Sequence, residues 1–190
     1  MRVPRSLASV GLVIATAAIL PLSIAAQEAS WLDGDLASWN TAGMEIPVAP
    51  DVDGNTDPQC AQGERPADTP QDAAIMAQGW KLFLPYQRGW DVTLISALAG
   101  YDGMCRPLGY QSFVFVGDAL AGTIAPEPMD SRTDGAANDV NLWTATQVGA
   151  TFSRYTPDDA LCCPSGSTTV SYTIEETADG PVLNPTDASS

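Results

Sequence analysis

Hydrophobic and polar positions change their spacing several times along the chain, and each change predicts a different element. The first pattern is an uncharged apolar run, Leu7–Leu20, which follows Arg2 and Arg5 and precedes the small residues Ala25 and Ala26. This order is typical of a secretion signal, so we predict a signal peptide over residues 1–26. The alternative is a retained membrane anchor, but a spanning helix needs roughly 20 apolar residues and this run is shorter.

Residues 27–68 show no regular period. The segment is rich in Asp, Pro, Gly and Ala, yet it contains Trp31 and Trp39. Because disordered linkers carry few aromatic residues, we predict an irregular N-terminal arm that lies against the domain, with one short helix around Leu32–Trp39. A flexible linker is the alternative, most of all for Asp51–Gln59.

Helical spacing follows the tetrapeptide Thr69-Pro70-Gln71-Asp72. Thr69 suits the N-cap, Pro70 the first helical position and Asp72 the positive end of the helix dipole. Apolar residues then recur at helical spacing and predict one buried face. That face consists of Ala73, Met76, Ala77 and Trp80.

Strand patterns dominate from residue 90 onward. The predicted strands are Trp90–Leu98, Tyr110–Val116, Ala119–Ile124, Val140–Val148, Ala150–Tyr155 and Thr168–Ile174, with a hairpin turn at Gly117-Asp118 and a bulge or turn at Gly149. In the last strand, alternate residues face opposite ways. The fold class expected is α+β, with one main helix packed on a mostly antiparallel sheet of about five or six strands and stapled by disulfides. This single domain would span residues 69–185. We expect the chain to fray from about Asn184 onward, and most of all over residues 186–190.

Charge and composition exclude several classes of function. The chain of 190 residues has 8 Lys and Arg against 23 Asp and Glu, a net charge of −15, and it has no histidine. An acidic surface repels phosphate backbones and anionic lipid heads, so we expect no nucleic-acid partner, and no membrane partner after signal cleavage. The absence of histidine excludes Ser-His-Asp and Cys-His catalysis and the common zinc sites.

Four cysteines indicate disulfides in an exported protein: Cys60, Cys105, Cys162 and Cys163. Side chains of adjacent residues in extended chain point opposite ways. We therefore expect Cys162 and Cys163 to reach different partners, one pairing with Cys60 and the other with Cys105. The alternative is a vicinal Cys162–Cys163 bond, which would be redox-active rather than structural.

Five segments stand out together by their sequence and their order: Gly100–Tyr110, Phe113–Thr123, Pro128–Gly135, Arg154–Tyr155 and Leu161–Ser165. They resemble segments of the LppP/LprE family of bacterial envelope proteins. The resemblance spans roughly residues 60–185 and implies an exported or lipid-anchored envelope protein without an assigned activity. The chain departs from the lipoprotein pattern because no cysteine precedes Cys60. The resemblance carries over no catalytic residues.

Oxygen-bearing side chains alternate along residues 51–57, at Asp51, Asp53, Asn55 and Asp57. Calcium prefers such oxygen clusters. The standard calcium loop, however, has Gly at its sixth position and Glu at its twelfth, where this chain has Thr56 and Gln62. The alternative interpretation is a solvated acidic turn.

A second candidate is the polar loop Pro128–Gly135, which carries Arg132 between Asp130 and Asp134. An arginine in such a loop can bind a carboxylate ligand through two hydrogen bonds. The alternative is that Arg132 pairs with its two neighbouring acids and only stiffens the loop.

Glycoside hydrolysis by a carboxylate pair requires two acids facing each other across about 5–9 Å. The adjacent pairs Asp158-Asp159 and Glu175-Glu176 do not provide this arrangement, whereas Asp102, Asp130 and Asp134 could be brought together by the fold. Among the tryptophans, we expect Trp80 and Trp90 in the core and Trp31 and Trp39 at the surface.

These observations favour a periplasmic or secreted, non-catalytic binding or structural module. The alternative is a carboxylate-dependent hydrolase. The sequence implies no cofactor, and the expected partner is a protein or small ligand.

Overall fold

The computed structural model describes residues 30–190, so the predicted signal peptide lies outside the described residues. Nearly all regular structure is antiparallel β-sheet. In chain order the elements are 3-10 turns at Trp31–Asp33 and Cys60–Gly63, helix α1 (Pro70–Ala77), and strands β1 (Lys81–Leu82), β2 (Gln87–Gly89), β3 (Val92–Leu98), β4 (Gly100–Tyr101), β5 (Pro107–Leu108), β6 (Gln111–Val116), β7 (Ala119–Thr123), β8 (Ala137–Thr144), β9 (Gln147–Arg154), β10 (Gly166–Thr177) and β11 (Gly180–Ser189). None of the helices found between residues 30 and 190 has the length and apolar character that a membrane crossing requires.

The strands form two main sheets rather than the single sheet expected. In the first sheet, β1 and β2 pair with β3, which pairs with β6, and β6 pairs with β7; the second sheet has the order β11-β10-β9-β8. The prediction of mostly antiparallel strands with one helix is confirmed, and the prediction of one sheet is wrong. The segment between β7 and β8 buries Ile124, Ala125 and Met129 as it passes from one layer to the other. Each sheet can therefore bury an apolar face against its partner.

Two apolar clusters hold the layers together. The larger lies between the sheets and includes Val114, Phe152, Val170 and Tyr172. The smaller lies on the other face of the first sheet, where Ile75 of α1 and Trp80 cover Phe113 and Phe115. The first sheet is thus buried on both faces, which explains why β3 and β6 read as nearly continuous apolar runs.

Helix α1 begins as its sequence predicts but presents a different face. Thr69 Oγ1 accepts a hydrogen bond from the Asp72 amide, and the Asp72 carboxylate accepts one from the Thr69 amide. The buried residues are Gln71, Asp72 and Ile75, whereas Met76 is exposed. The predicted face of Ala73, Met76 and Ala77 is therefore wrong, because ties from Asp72 to Arg65 and from Gln71 to Gly117 set the rotation of the helix.

Side-chain amides join the two sheets where strands of different sheets run side by side. On one side β7 lies beside β11, and Asn40 of the arm donates to the carbonyls of Thr123 and Leu183 while accepting from the Thr123 amide. On the other side β2 lies beside β8, and Gln87 donates to the Val140 carbonyl and accepts from the Leu142 amide. Because β7, β11 and β8 are edge strands of their sheets, these side-chain amides pair backbone groups at the sheet edges.

Strand boundaries differ from the predictions in the second sheet. The predicted strand Val140–Val148 is interrupted by a turn at residues 145–146, and Gly149 lies inside β9 rather than at a bulge. The bare backbone of Gly149 leaves room for Trp143, which lies directly over it. The expected frayed tail is also wrong, because β11 extends to Ser189 and pairs with β10.

The N-terminal arm, over residues 30–68, contains no strand and has two short 3-10 turns. The helix expected around Leu32–Trp39 is reduced to the turn Trp31–Asp33. Trp31 and Trp39 meet edge to face and pack against the core between the sheets, so the expectation of surface positions is wrong. Trp80 is buried as expected, but Trp90 is 69% exposed in the tight turn between β2 and β3.

Candidate ligand cleft

The disulfides join different cysteines from those expected. Cys60 is bonded to Cys105, 45 residues away, and Cys162 is bonded to its neighbour Cys163. The predicted pairing of Cys60 and Cys105 with the 162–163 pair is therefore wrong. The physical reason is that the Cys60 turn lies beside the β4–β5 hairpin that carries Cys105, with the Asn55 amide bonded to the Tyr101 carbonyl. The vicinal alternative is the arrangement that the structure has.

A cleft of about 750 Å³ opens where the two sheets diverge. Its walls come from the segment before β2, from β3 and β6 of the first sheet, and from β8, β9 and two loops of the second. This volume lies within the range of 300–1,000 Å³ that is usual for small-ligand pockets. Phe83, Tyr86, Leu94 and Tyr110 provide the apolar and aromatic part of the lining.

Polar groups inside the cleft are held by neighbours in the sheets. The Ser96 and Ser112 hydroxyls are 2.8 Å apart, and Asn138 Nδ2 donates to Ser153 Oγ at 2.8 Å. The Tyr110 hydroxyl donates to the Ala137 carbonyl at 2.8 Å. Burial, with the nearby Asp130 carboxylate, raises the pKa of Tyr110, so this hydroxyl stays protonated. The cleft therefore presents fixed hydroxyl and amide groups beside aromatic rings.

Arg132 lies at this cleft with its guanidinium free of acidic partners. Among residues 30–190, four basic residues have a carboxylate within 4 Å, and Arg132 is not one of them. Its two acidic neighbours in the sequence are used elsewhere. Asp130 accepts from the Gly109 amide at 2.7 Å, and Asp134 is paired with Arg154.

Two residues of the cleft have left-handed backbone conformations that are uncommon for side chains of their size. Arg132 has a φ of +67° and Leu84 a φ of +61°, and both line the cleft. Such conformations cost free energy and are found most often at functional sites. Ser131 fixes the Arg132 loop by donating from its amide and its hydroxyl to the Pro107 carbonyl.

The acids considered for hydrolysis are engaged in local structure. Asp102 is paired with Arg106, Asp130 binds the Gly109 amide, and Asp134 binds Arg154 and the Tyr155 amide. Burial raises the pKa of Asp102, but hydrogen bonds from the backbone and side chain of Arg106 and from the Met104 amide outweigh it and hold the pKa below its usual value. Within the described part of the chain, Asp139 is the one carboxylate that lines the cleft. The geometry therefore does not favour a carboxylate pair acting on a ligand there.

The other acidic pairs are also placed in turns and on a sheet surface. Asp159 accepts from the amides of Thr156 and Ser165, and these bonds lower its pKa. Glu175 accepts from the Asn184 side chain on the exposed end of the second sheet. Neither arrangement brings two carboxylates face to face across a ligand-sized gap.

The residues considered for calcium form turns in the arm. Asn55 Oδ1 accepts from the Asp57 amide, and Asp57 Oδ1 accepts from the Gln59 amide. Between residues 30 and 190 no group of three or more acidic or cysteine side chains is close enough to hold a metal ion. Asp51 and Asp53 are exposed in the same segment.

Sequence patterns directed attention to Arg132 but not to the rest of the cleft. Tyr110 lies just before β6, Ser112 lies in β6 and Ser153 in β9, and the apolar patterns of these segments indicate burial alone. Only contacts between the sheets bring them to the same space as Arg132. Gln87 carried no signal, since a single polar residue in a short edge strand is usually solvated.

Comparisons with known proteins support one assignment. No curated protein and no solved structure matches the chain. Residues 91–177, which run from just before β3 to the end of β10, match the LppP/LprE lipoprotein family. This segment contains most strands of both sheets and the greater part of the cleft. Over residues 91–177, the chain is similar to the LppP/LprE lipoprotein family, and this similarity supports both the resemblance found in the sequence and an exported envelope protein.

Proposed function

We propose that this domain is a non-catalytic binding module of the bacterial cell envelope, periplasmic or secreted, which holds a small anionic ligand with an apolar or aromatic body. The observation that carries the proposal is the unpaired Arg132 at the cleft between the sheets. Arg132 is exposed, and no carboxylate between residues 30 and 190 lies within 4 Å of its guanidinium, so this group is open to an anionic ligand.

The chemistry of the walls supports this class of ligand. A guanidinium offers a planar fork of donors that matches a carboxylate or sulfonate. The rings of Phe83, Tyr86 and Tyr110 offer apolar area in the same lining. The hydroxyls of Ser96 and Ser112, which also line the cleft, can orient a polar substituent of the ligand.

The test uses 8-anilinonaphthalene-1-sulfonate, a fluorescent probe with aromatic rings and one anionic group. We expect its fluorescence to rise on binding and to fall when 2-naphthoate competes. Arg132→Gln should raise the Kd at least about tenfold, since a charge-assisted hydrogen bond contributes roughly 1.5–3 kcal/mol. The Kd of Arg132→Lys should lie between those of the wild type and Arg132→Gln, because lysine keeps the positive charge but lacks the planar pair of donors of a guanidinium.

Arg88→Gln is the matched control. Arg88 is an exposed arginine on β2 that does not line the cleft and bonds to Thr93 Oγ1. Its replacement removes the same charge from the protein and should change the Kd by less than twofold. If both variants lose the same affinity for the probe, the effect is one of overall charge and the proposal is wrong. An unchanged Kd for Arg132→Gln would also refute the proposal.

A further inference from the structure

The loop between β9 and β10, residues 155–165, carries the vicinal disulfide. Cys162 and Cys163 are both exposed, and their Cα atoms are 3.8 Å apart. Cys162 and Pro164 line the cleft described above, beside Tyr155. The bond is therefore open to solvent and also forms part of the cleft wall.

This disulfide does not act as a staple of the fold. A crosslink stabilises a protein mainly by restricting the unfolded chain, and the effect grows with the length of the closed loop. Cys60–Cys105 closes a separation of 45 residues and buries Cys60 to 5% exposure. Cys162–Cys163 joins neighbours, so it restricts almost no chain and its role must be local.

The loop is anchored independently of the disulfide. The Asp159 carboxylate accepts from the amides of Thr156 and Ser165, at 2.7 and 3.0 Å, and so ties the two ends of the loop together. The Tyr155 hydroxyl donates to the Leu161 carbonyl at 3.0 Å. Opening the disulfide can therefore alter the cleft wall while the two sheets stay intact.

We propose that Cys162–Cys163 is a redox-active pair that accepts two electrons from an external dithiol and, on reduction, loosens the cleft wall. A thiolate of the dithiol attacks one sulfur, the bond between the two protein sulfurs breaks, and a mixed disulfide forms. The second thiolate of the dithiol then displaces the protein thiol. The net reaction converts the protein disulfide to two thiols and the dithiol to its cyclic disulfide, with two protons transferred. Disulfides that are exposed to solvent are among those that exchange in this way.

The first test measures selective reduction in the native protein. The protein is equilibrated in buffers with graded ratios of reduced to oxidised dithiothreitol, alkylated and mapped by peptide mass spectrometry. Cys162–Cys163 should be half reduced at a ratio at least tenfold lower than Cys60–Cys105, which corresponds to about 30 mV. Reduction of both bonds at the same ratio, or of Cys60–Cys105 first, would overturn the proposal.

The second test measures what reduction does to the wall. In the selectively reduced protein, and in Cys162→Ser/Cys163→Ser, amides of residues 155–165 should exchange with deuterium at least fivefold faster, while those of β10 stay unchanged. Unchanged exchange throughout the loop would refute the coupling. This readout needs no ligand, so it stands if the proposed function fails.

The third test rests on the proposed function. If the cleft binds the sulfonate probe, reduction should change the Kd at least threefold, and the double serine variant should show the changed Kd without reductant. If the probe binds the oxidised protein equally well with and without Arg132, the proposed function is wrong. The redox proposal is then decided by the first two tests alone. If the Kd depends on Arg132 but does not change on reduction, the proposal that the disulfide controls the cleft wall is overturned.

Discussion

Replacing Asn40 by alanine tests how the two sheets are joined. Asn40 is 3% exposed and belongs to the arm, yet it bridges β7 and β11. Its Nδ2 donates to the Thr123 carbonyl at 3.0 Å and to the Leu183 carbonyl at 2.8 Å, and its Oδ1 accepts from the Thr123 amide at 2.9 Å. Alanine would remove all three bonds and leave the Leu183 carbonyl and the Thr123 amide without their side-chain partner, while the Thr123 carbonyl would keep a hydrogen bond from Trp39 Nε1 at 3.1 Å.

The magnitude follows from those three bonds. A buried intramolecular hydrogen bond contributes a net amount of about 1 kcal/mol, so Asn40→Ala should lower the free energy of unfolding by about 3 kcal/mol. Domains of this size have a total of roughly 5–15 kcal/mol. The loss corresponds to a fall in Tm of about 9 °C, since 1 kcal/mol shifts a domain of this length by about 3 °C.

The assay is urea unfolding followed by tryptophan fluorescence without reductant. Asn141→Ala is the control, because its side chain bonds only to exposed Asp139 and its loss should cost less than about 0.5 kcal/mol. A loss below about 1 kcal/mol for Asn40→Ala would show that these bonds do not join the sheets. Gly122→Ala adds a double-mutant cycle, since its Cβ would lie 2.2 Å from Asn40 Cγ. The double variant should be at least about 1 kcal/mol more stable than the sum of the single losses predicts.

Two further predictions concern the stability of the first sheet and of the arm. Asp72→Asn should cost about 3 kcal/mol in the same assay, because it breaks a buried pair with Arg65. Burial raises the pKa of Asp72, but hydrogen bonds from Arg65, Asp68 and Thr69 outweigh it and lower the pKa. The stabilisation is therefore complete above the unfolded-state pKa of about 4 and is lost as pH falls through the lower folded-state value, so the difference between wild type and Asp72→Asn should vanish in acid. Cys60→Ser/Cys105→Ser should cost about 4 kcal/mol in non-reducing unfolding, by the chain-entropy relation for a separation of 45 residues, whereas Cys162→Ser/Cys163→Ser should cost less than about 1 kcal/mol.

Local patterns predicted local structure well. The Thr69 cap, the turn at Gly117-Asp118 and the alternation of β10 depend on residues close in the chain, and the structure has all three. The division into two sheets depends on distant contacts, such as those of Asn40 with Thr123 and Leu183. Periodicity carries no information on those contacts.

The predictions that were wrong also depended on contacts between residues distant in the chain. Met76 and Ile75 are both apolar, and the choice between them is made by the distant partners of Gln71 and Asp72. The disulfide pairing depends on the Cys60 turn meeting the β4–β5 hairpin, which chain order does not indicate. At the site, the sequence left open whether Arg132 binds a ligand or pairs with Asp130 and Asp134, and the fold excludes the pairing because Asp134 is bonded to Arg154 and Asp130 to the Gly109 amide.

The proposal that the cleft binds an anionic ligand through Arg132 is tested most directly by nuclear magnetic resonance mapping of 2-naphthoate binding on the isotope-labelled oxidised protein. We predict that the shifted amides cluster at residues 83–87, 131–139 and 153–155. Arg132→Gln should remove these shifts, whereas Arg88→Gln should keep them. Shifts confined to other surfaces, or shifts at the cleft that survive in Arg132→Gln, would contradict the proposal.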